Sequence, residues 1–76
     1  MTTVNIQLKT LEDVRKFVNI ATKYDTEIDL SSGRYVVDAK SIMGIFSLDL
    51  LAPIKLTAHG DNVDDLMADI KPFIVE

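Results

Sequence analysis

The chain has 76 residues, of which 47% are hydrophobic and 26% charged, and its formal net charge at pH 7 is −4. This composition is typical of a folded globular protein and argues against disorder. The basic residues are dispersed, which argues against nucleic acid as the main partner because phosphate binding needs clustered positive charge.

Cysteine is absent from the sequence, which excludes a disulfide framework, a thiol nucleophile and a zinc–thiolate site. The N-terminal stretch MTTVNIQLK has no basic segment followed by an apolar run, and no run approaches the ~20 residues that span a bilayer. We therefore expect a single cytoplasmic domain over residues 1–76.

The first two predicted elements are a strand and a helix. Residues 3–8 alternate between apolar and polar side chains, the pattern of a half-buried strand. Thr10 and Asp13 have the spacing of a capping box, and Glu12 and Asp13 lie where the helix dipole favours carboxylates. Apolar residues at helical spacing then predict an amphipathic helix: Leu11, Val14, Phe17, Val18 and Ala21.

A hairpin is predicted next. The runs TEIDL and RYVVD are β-prone and are separated by SSG, in which Gly33 can supply a positive φ. The stretch DAKSIMGIFSLDL follows, with Ser41 as a favoured N-cap residue and Ile42, Ile45 and Phe46 at helical spacing. It predicts a short helix, held by packing because the internal Gly44 lowers its propensity.

The C-terminal part predicts a strand and a third helix. Residues 54–59 alternate in hydropathy, whereas residues 61–76 carry apolar side chains at helical spacing, with Ile74 as a further candidate position. Asp64 and Asp65 lie near the start of this helix, and Pro72 should end or distort it. The order β-α-β-β-α-β-α predicts an α+β open-faced sandwich: a four-stranded antiparallel sheet, its last strand between the first two, with three helices on one face.

Few residues are candidates for catalysis or metal binding. His59, the only histidine, is expected on the outer face of its strand without an obvious orienting partner. The acidic pairs at helix starts are better explained as helix-end charges than as metal ligands. No catalytic, nucleotide-binding or metal-binding motif can be assembled, so we predict neither enzyme activity nor a cofactor or metal.

Ser41 leaves two alternatives open: a simple N-cap, or a phosphorylation site at a helix start with Lys40 adding positive charge. Met43 and some of its neighbours are expected to stay exposed, because so short a helix cannot bury every apolar side chain. Exposed methionine beside aliphatic and aromatic side chains is typical of a protein-docking surface.

The segment AKSIMGIFSLDL, together with the element order, resembles HPr, the phosphocarrier of the bacterial sugar phosphotransferase system. The resemblance implies that Ser41 is phosphorylated from ATP by an HPr kinase/phosphorylase. It also implies that Ile42, Met43 and Phe46 belong to a surface that binds this kinase, enzyme I or a catabolite control protein. A role in sugar transport and carbon catabolite regulation would follow.

The sequence departs from that family before the first helix. HPr proteins carry Gly-Leu-His-x-Arg-Pro-Ala there, with the histidine as phosphate acceptor, whereas Thr10 lies near the histidine position here. Glu12 and Asp13 replace the arginine and proline. A threonine phosphate ester lacks the transfer potential of a phosphoimidazole, and the two carboxylates would repel the incoming phosphate.

We therefore predict an HPr-like regulatory or protein-binding module that does not relay phosphate through histidine. Two alternatives are a divergent phosphocarrier still active in the phosphotransferase system through His59, and an inert interaction domain in which Ser41 only caps a helix. The sequence leaves open the partner, the oligomeric state and the pathway.

Overall fold

The structure is a computed structural model that describes residues 1–75. The prediction of one domain over residues 1–76 includes Glu76, which lies outside the described residues. The elements in chain order are β1 (Thr2–Ile6), α1 (Leu11–Thr22), β2 (Glu27–Ser32), β3 (Tyr35–Asp38), α2 (Ile42–Phe46), β4 (Ile54–His59), α3 (Asp64–Ile70), a 3-10 turn (Lys71–Phe73) and β5 (Ile74–Val75).

The strands form one antiparallel sheet in the order β3-β2-β4-β1-β5. β4 pairs with both β1 and β2, so the prediction that the strand at residues 54–59 lies between the first two is confirmed. The hairpin prediction is also confirmed, since Ser32 pairs with Tyr35 and Gly33 in the connecting loop has a φ of 60°. A glycine is suited to this position because its missing Cβ permits a positive φ.

The C-terminal segment differs from the predicted helix and four-stranded sheet. α3 ends at Ile70, and Pro72 lies in the 3-10 turn that follows. Ile74, a further candidate position of the helical stripe, instead pairs with Ile6 in the two-residue strand β5. Within residues 1–75 the sheet therefore has five strands.

One hydrophobic core lies between the sheet and the helices. Alternate residues of β2 and β4 point into it, and they meet the buried faces of α1, α2 and α3. The largest fully buried side chains are Phe17, Ile6, Leu8, Ile28, Leu30, Ile45, Ile54, Leu56, Leu66, Ile70 and Val14. The opposite sheet face carries polar residues of the three central strands, among them Asn5, Asp29 and Lys55, as the alternation predicts.

No helix within residues 1–75 combines the length and the apolar character needed to cross a bilayer.

Candidate functional site

The start of α1 is a closed hydrogen-bonded cap. The Thr10 hydroxyl accepts a hydrogen bond from the Asp13 backbone N–H at 3.1 Å, and the Asp13 carboxylate accepts one from the Lys9 N–H at 3.0 Å. This arrangement resembles a capping box, in which the N-cap and the third helical residue each bond to the other's backbone N–H. Here the Asp13 side chain instead accepts from the N–H of Lys9, the residue before the N-cap. Thr10 therefore caps the N-terminus of α1, and Glu12 and Asp13 add two carboxylates to the first turn.

The start of α2 has a similar cap. The Ser41 hydroxyl accepts from the Gly44 N–H at 3.2 Å, and the Ser41 carbonyl accepts from the Ile45 N–H at 3.0 Å. At the other end, the Ser47 hydroxyl donates to the Gly44 carbonyl at 2.6 Å. The residue predicted as N-cap therefore holds that position, and Ser41 is exposed to solvent.

Lys40 makes a tertiary contact with a residue that follows the end of α1. Its ammonium donates a hydrogen bond to the Tyr24 carbonyl at 2.6 Å, beyond the C-terminal end of α1. The last turn of α1 contains no basic residue of its own, so Lys40 supplies positive charge where the helix dipole favours it. The contribution of Lys40 to a phosphate on Ser41 stays a prediction.

The apolar side chains of α2 divide between core and solvent. Ile45 is fully buried, whereas Ile42, Met43 and Phe46 expose 36%, 76% and 44% of their surface. We call these three exposed residues the α2 surface. Their exposure agrees with the expectation that the helix is too short to bury every apolar side chain.

Leu51 and Leu11 are among the further apolar residues whose exposure the sequence did not indicate. Leu51 exposes 91% of its surface in the loop after α2, and Leu11 exposes 60% at the first position of α1. Gln7 donates a 3.4 Å hydrogen bond to the Leu51 carbonyl, which connects this loop with the end of β1. Leu51 lies in a loop and follows no periodic pattern, and Leu11 was placed on the buried stripe of α1.

His59 has an orienting partner, contrary to the sequence-based expectation. Its Nε2 lies 2.8 Å from Asp29 Oδ2 on the neighbouring strand. Glu27 is directly opposite His59 in the β2–β4 register. The imidazole is thus on the sheet face away from the helices, as predicted, and it is flanked by two acidic residues.

Tyr24 connects the end of α1 with α3. Its hydroxyl donates to Asp69, and this hydrogen bond, together with desolvation and the negative charges of Asp69 and Asp65, raises the pKa of Tyr24 from 10.0 to about 12. The same residue accepts from Lys40 through its carbonyl. Tyr24 therefore links the segment before α2 to α3.

The acidic residues near α3 do not form a metal centre. Asp64 and Asp65 occupy its first turn, where carboxylates stabilise the helix dipole. Within residues 1–75, no group of three or more histidine and acidic side chains is arranged to hold a metal ion.

Comparison with known proteins shows the family to which this chain belongs. The family model for the HPr component of the phosphotransferase system, described as its phosphorylation site, matches residues 13–76. The chain therefore belongs to the HPr family, whose members are phosphocarrier proteins. The match begins at Asp13 and so does not include Thr10.

Solved structures agree with this assignment. HPr-C-His of Thermoanaerobacter tengcongensis is 30% identical, with a TM-score of 0.81 over 95% of this chain and 89% of that chain. The phosphocarrier protein HPr of Bacillus anthracis is 25% identical, with a TM-score of 0.73 over 97% and 94%. Crh, a catabolite repression protein of Bacillus subtilis, shares the fold at 23% identity, with a TM-score of 0.63 over 99% and 90%.

Proposed function

We propose that this HPr-family protein is a cytoplasmic regulatory module that does not relay phosphate through a histidine. Ser41 is its phosphorylation site, and the α2 surface is its docking site for proteins. The partner that docks there is an HPr kinase/phosphorylase, which phosphorylates Ser41 from ATP. The observation that carries the proposal is the contrast between the two helix starts: Glu12 and Asp13 make the first turn of α1 acidic, whereas the first turn of α2 has no acidic residue and lies beside exposed apolar side chains.

The start of α1 is poorly suited to phosphoryl relay. A relay needs a nucleophile whose phosphorylated form readily transfers the group onward, and a phosphate ester on Thr10 would lack that transfer potential. Glu12 and Asp13 put like charge next to an incoming phosphate, which disfavours its binding. These features support a structural role for Thr10.

His59 is a weak substitute for the family's histidine. It lies in β4, on the sheet face opposite the helices, and both Asp29 and Glu27 border it. A phosphoryl group on its ring would add negative charge beside these carboxylates, which is unfavourable. Asp29 does orient the imidazole, so the divergent phosphocarrier remains the second candidate function.

The segment around Ser41 supports the regulatory alternative. Ser41 is an exposed residue, and the α2 surface next to it presents a methionine, a phenylalanine and an isoleucine to a partner. Such side chains are adaptable and are enriched where proteins bind one another. Crh, which shares the fold, is a catabolite repression protein, and a role of that kind is part of the proposal.

Incubation with phosphoenolpyruvate and enzyme I tests the relay half of the proposal. We expect no acid-labile phosphoryl group on this chain, under conditions that phosphorylate an HPr carrying the family's histidine. An acid-labile adduct that disappears in His59→Ala would favour the divergent phosphocarrier and overturn the proposal.

Steady-state kinetics with an HPr kinase test the docking half. We expect Met43→Ser and Phe46→Ser to lower kcat/KM for phosphorylation by about tenfold or more, because exposed apolar anchors carry much of the binding energy of an interface. Val36→Ser is the matched control, since Val36 is 67% exposed on β3 but outside the α2 surface. Equal effects of all three substitutions would contradict the assignment of this surface.

A further inference from the structure

Strand β3 forms one edge of the sheet. It pairs with β2 on one side, and within residues 1–75 no strand pairs with its other side. Tyr35 and Val36 expose 64% and 67% of their surface. Proteins commonly protect such an edge with proline, lysine or a β-bulge, because its free backbone groups are a template for another strand. The segment YVVD has neither proline nor lysine, and its register with β2 is continuous, so this edge is open to a further strand.

The backbone of β3 presents hydrogen-bonding groups on its open side. The Ala39 N–H donates to the Ile28 carbonyl at 2.9 Å, which fixes the alternation of the antiparallel ladder: every second residue of β3 bonds to β2, and the residues between them face outward. Val36 and Asp38 are the outward residues. The Asp38 carbonyl accepts from the Ser41 N–H at 3.0 Å, as expected for a group that faces away from β2. The Val36 N–H and carbonyl therefore point to the open side, where a neighbouring strand can bond to them.

Opposite charges flank the strand. Arg34 immediately precedes β3, Asp38 is its last residue, and both are exposed. The one ion pair within residues 1–75 joins His59 to Asp29, so neither Arg34 nor Asp38 has an ionic partner there. Asp38 lies directly opposite Asp29 in the β2–β3 register, and like charges in that position destabilise a sheet. The Asp38 carboxylate accepts from the Lys40 backbone N–H at 2.8 Å, but a guanidinium brought to this end of β3 would also balance its charge.

We propose that a second copy of this chain pairs with β3 in an antiparallel, two-fold symmetric arrangement. The symmetry axis passes beside Val36, so that the Val36 N–H and carbonyl of each copy bond to those of the other. Tyr35 of each copy then lies opposite Val37 of the second copy, and Arg34 lies opposite Asp38. Because a two-fold interface repeats every contact, a pairing of Arg34 with Asp38 forms at both ends.

Antiparallel geometry allows several registers, and the charges distinguish between them. An axis one residue further along, at Val37, would place Arg34 opposite Lys40, a like charge. An axis one residue earlier, at Tyr35, would leave Arg34 and Asp38 without an opposite charge. Read in the reverse direction, the order of cation, apolar residues and anion along β3 is its own complement. This self-complementarity is the reason for choosing a second copy as the occupant of the edge.

The contact is small and separate from the proposed phosphorylation site. Pairing of a four-residue strand buries far less than the roughly 1,600 Å² of a standard protein interface, so we expect a weak dimer that dissociates at micromolar concentrations. Kinase assays at such concentrations measure the monomer, and Val36→Ser keeps its place there as a control. The dimer edge includes neither Ser41 nor the α2 surface, and it goes beyond the proposed function.

An amide chemical-shift dilution series tests for the dimer and its location. We expect saturable, concentration-dependent shifts at Val36 and Asp38, with a Kd on the order of 0.1–1 mM. Sedimentation equilibrium over the same range should show a monomer–dimer equilibrium. The amide of Leu66, which is buried in α3, is an internal reference and should not shift. A chain that stays monomeric over this range, or association whose shifts lie outside β3, would overturn the proposal and leave the edge to another partner.

Charge reversal tests the register. Arg34→Glu places two carboxylates opposite each other at both ends of the pairing, and it should raise the Kd by about fivefold or more, because two exposed attractive pairs become repulsive. Arg15→Glu changes the net charge equally at an exposed position of α1, and it should change the Kd by less than about threefold because salt screens distant charges. Equal effects of the two substitutions would contradict the register.

A mixture of two variants separates the charge pairs from any loss of folding. Asp38→Lys alone should weaken self-association for the same reason as Arg34→Glu. In a mixed dimer of these two variants, however, each substituted side chain faces an opposite charge, and the remaining original pair is intact. Isotope-labelled Arg34→Glu titrated with unlabelled Asp38→Lys should therefore recover a Kd within about threefold of the original. A dispersed amide spectrum checks that each variant is folded. A mixture that associates no better than either variant alone would overturn the proposal.

Discussion

The Ser41 hydroxyl and the backbone of Gly44 are in contact, with the hydroxyl oxygen 3.2 Å from the Gly44 nitrogen. A Cβ at residue 44 would lie 3.2 Å from the same oxygen and 3.2 Å from the Cβ of Val37 on β3. Glycine in a helix costs about 0.5–1 kcal/mol relative to alanine. Here the missing side chain lets α2 keep its cap and approach the sheet closely.

Gly44→Ala should therefore destabilise the protein in spite of alanine's higher helix propensity. Crowding against packed neighbours costs about 1–3 kcal/mol, which exceeds the gain in propensity and leaves a net loss of about 1 kcal/mol. Urea denaturation measures this change in the free energy of unfolding. Met43→Ala on the exposed side of the same helix should change it by less than about 0.5 kcal/mol. A stabilised Gly44→Ala protein would contradict the close packing.

The Ser41 cap predicts that Ser41→Ala is less stable than Ser41→Asp. Ser41→Ala removes the acceptor for the Gly44 N–H and should lower the free energy of unfolding by about 1 kcal/mol. Ser41→Asp keeps an acceptor at the N-cap and should remain close to the original protein. Equal losses for the two variants in urea denaturation would contradict the role of the hydroxyl as a cap.

The Thr10 cap predicts a similar loss of stability at the start of α1. Thr10→Ala should cost about 1 kcal/mol and raise amide hydrogen exchange in the first turn, above all at Asp13, whereas Thr10→Ser should retain most of the protection. Hydrogen-exchange rates at Asp13 and Val14 measure the effect. Unchanged exchange in Thr10→Ala would contradict the capping contact between Thr10 and Asp13.

Tyr24 predicts a dependence of stability on alkaline pH. Its hydrogen bond to Asp69 raises the pKa of Tyr24 from 10.0 to about 12, so the folded state holds the phenolic proton more tightly than the unfolded state. This contribution is fully present below pH 10 and is lost as the pH rises through about 12. Ultraviolet absorbance titration in a Tyr35→Phe background isolates Tyr24, and Asp69→Asn should lower its pKa. An unaltered titration in Asp69→Asn would contradict the contact.

Local patterns predicted most of the fold. Thr10 with Asp13, Gly33 in the hairpin loop, and Ser41 before an apolar helix each have a short-range physical cause. Strand β5 could not be predicted in this way, because its two residues contain no periodic pattern and its pairing depends on where the chain turns at Pro72.

The candidate site was predicted less completely, since its remaining features depend on tertiary contacts. The pairing of His59 with Asp29 follows from the β2–β4 register, which sequence alone does not specify. Lys40 is adjacent to Ser41 in the chain, but the approach of the end of α1 directs its ammonium to the Tyr24 carbonyl. Helical periodicity can predict that Ile45 is buried and Met43 exposed, because these two side chains lie on opposite sides of α2.

Phosphosite mapping after incubation with Mg-ATP and an HPr kinase tests the central claim most directly, namely that the regulatory chemistry of this chain is at Ser41. Intact mass and peptide fragmentation should show a single phosphoryl group on Ser41. It should persist in Ser47→Ala, a neighbouring exposed serine of the same segment, and be absent from Ser41→Ala. No phosphoryl group on the original chain, or one that survives in Ser41→Ala, would contradict the account.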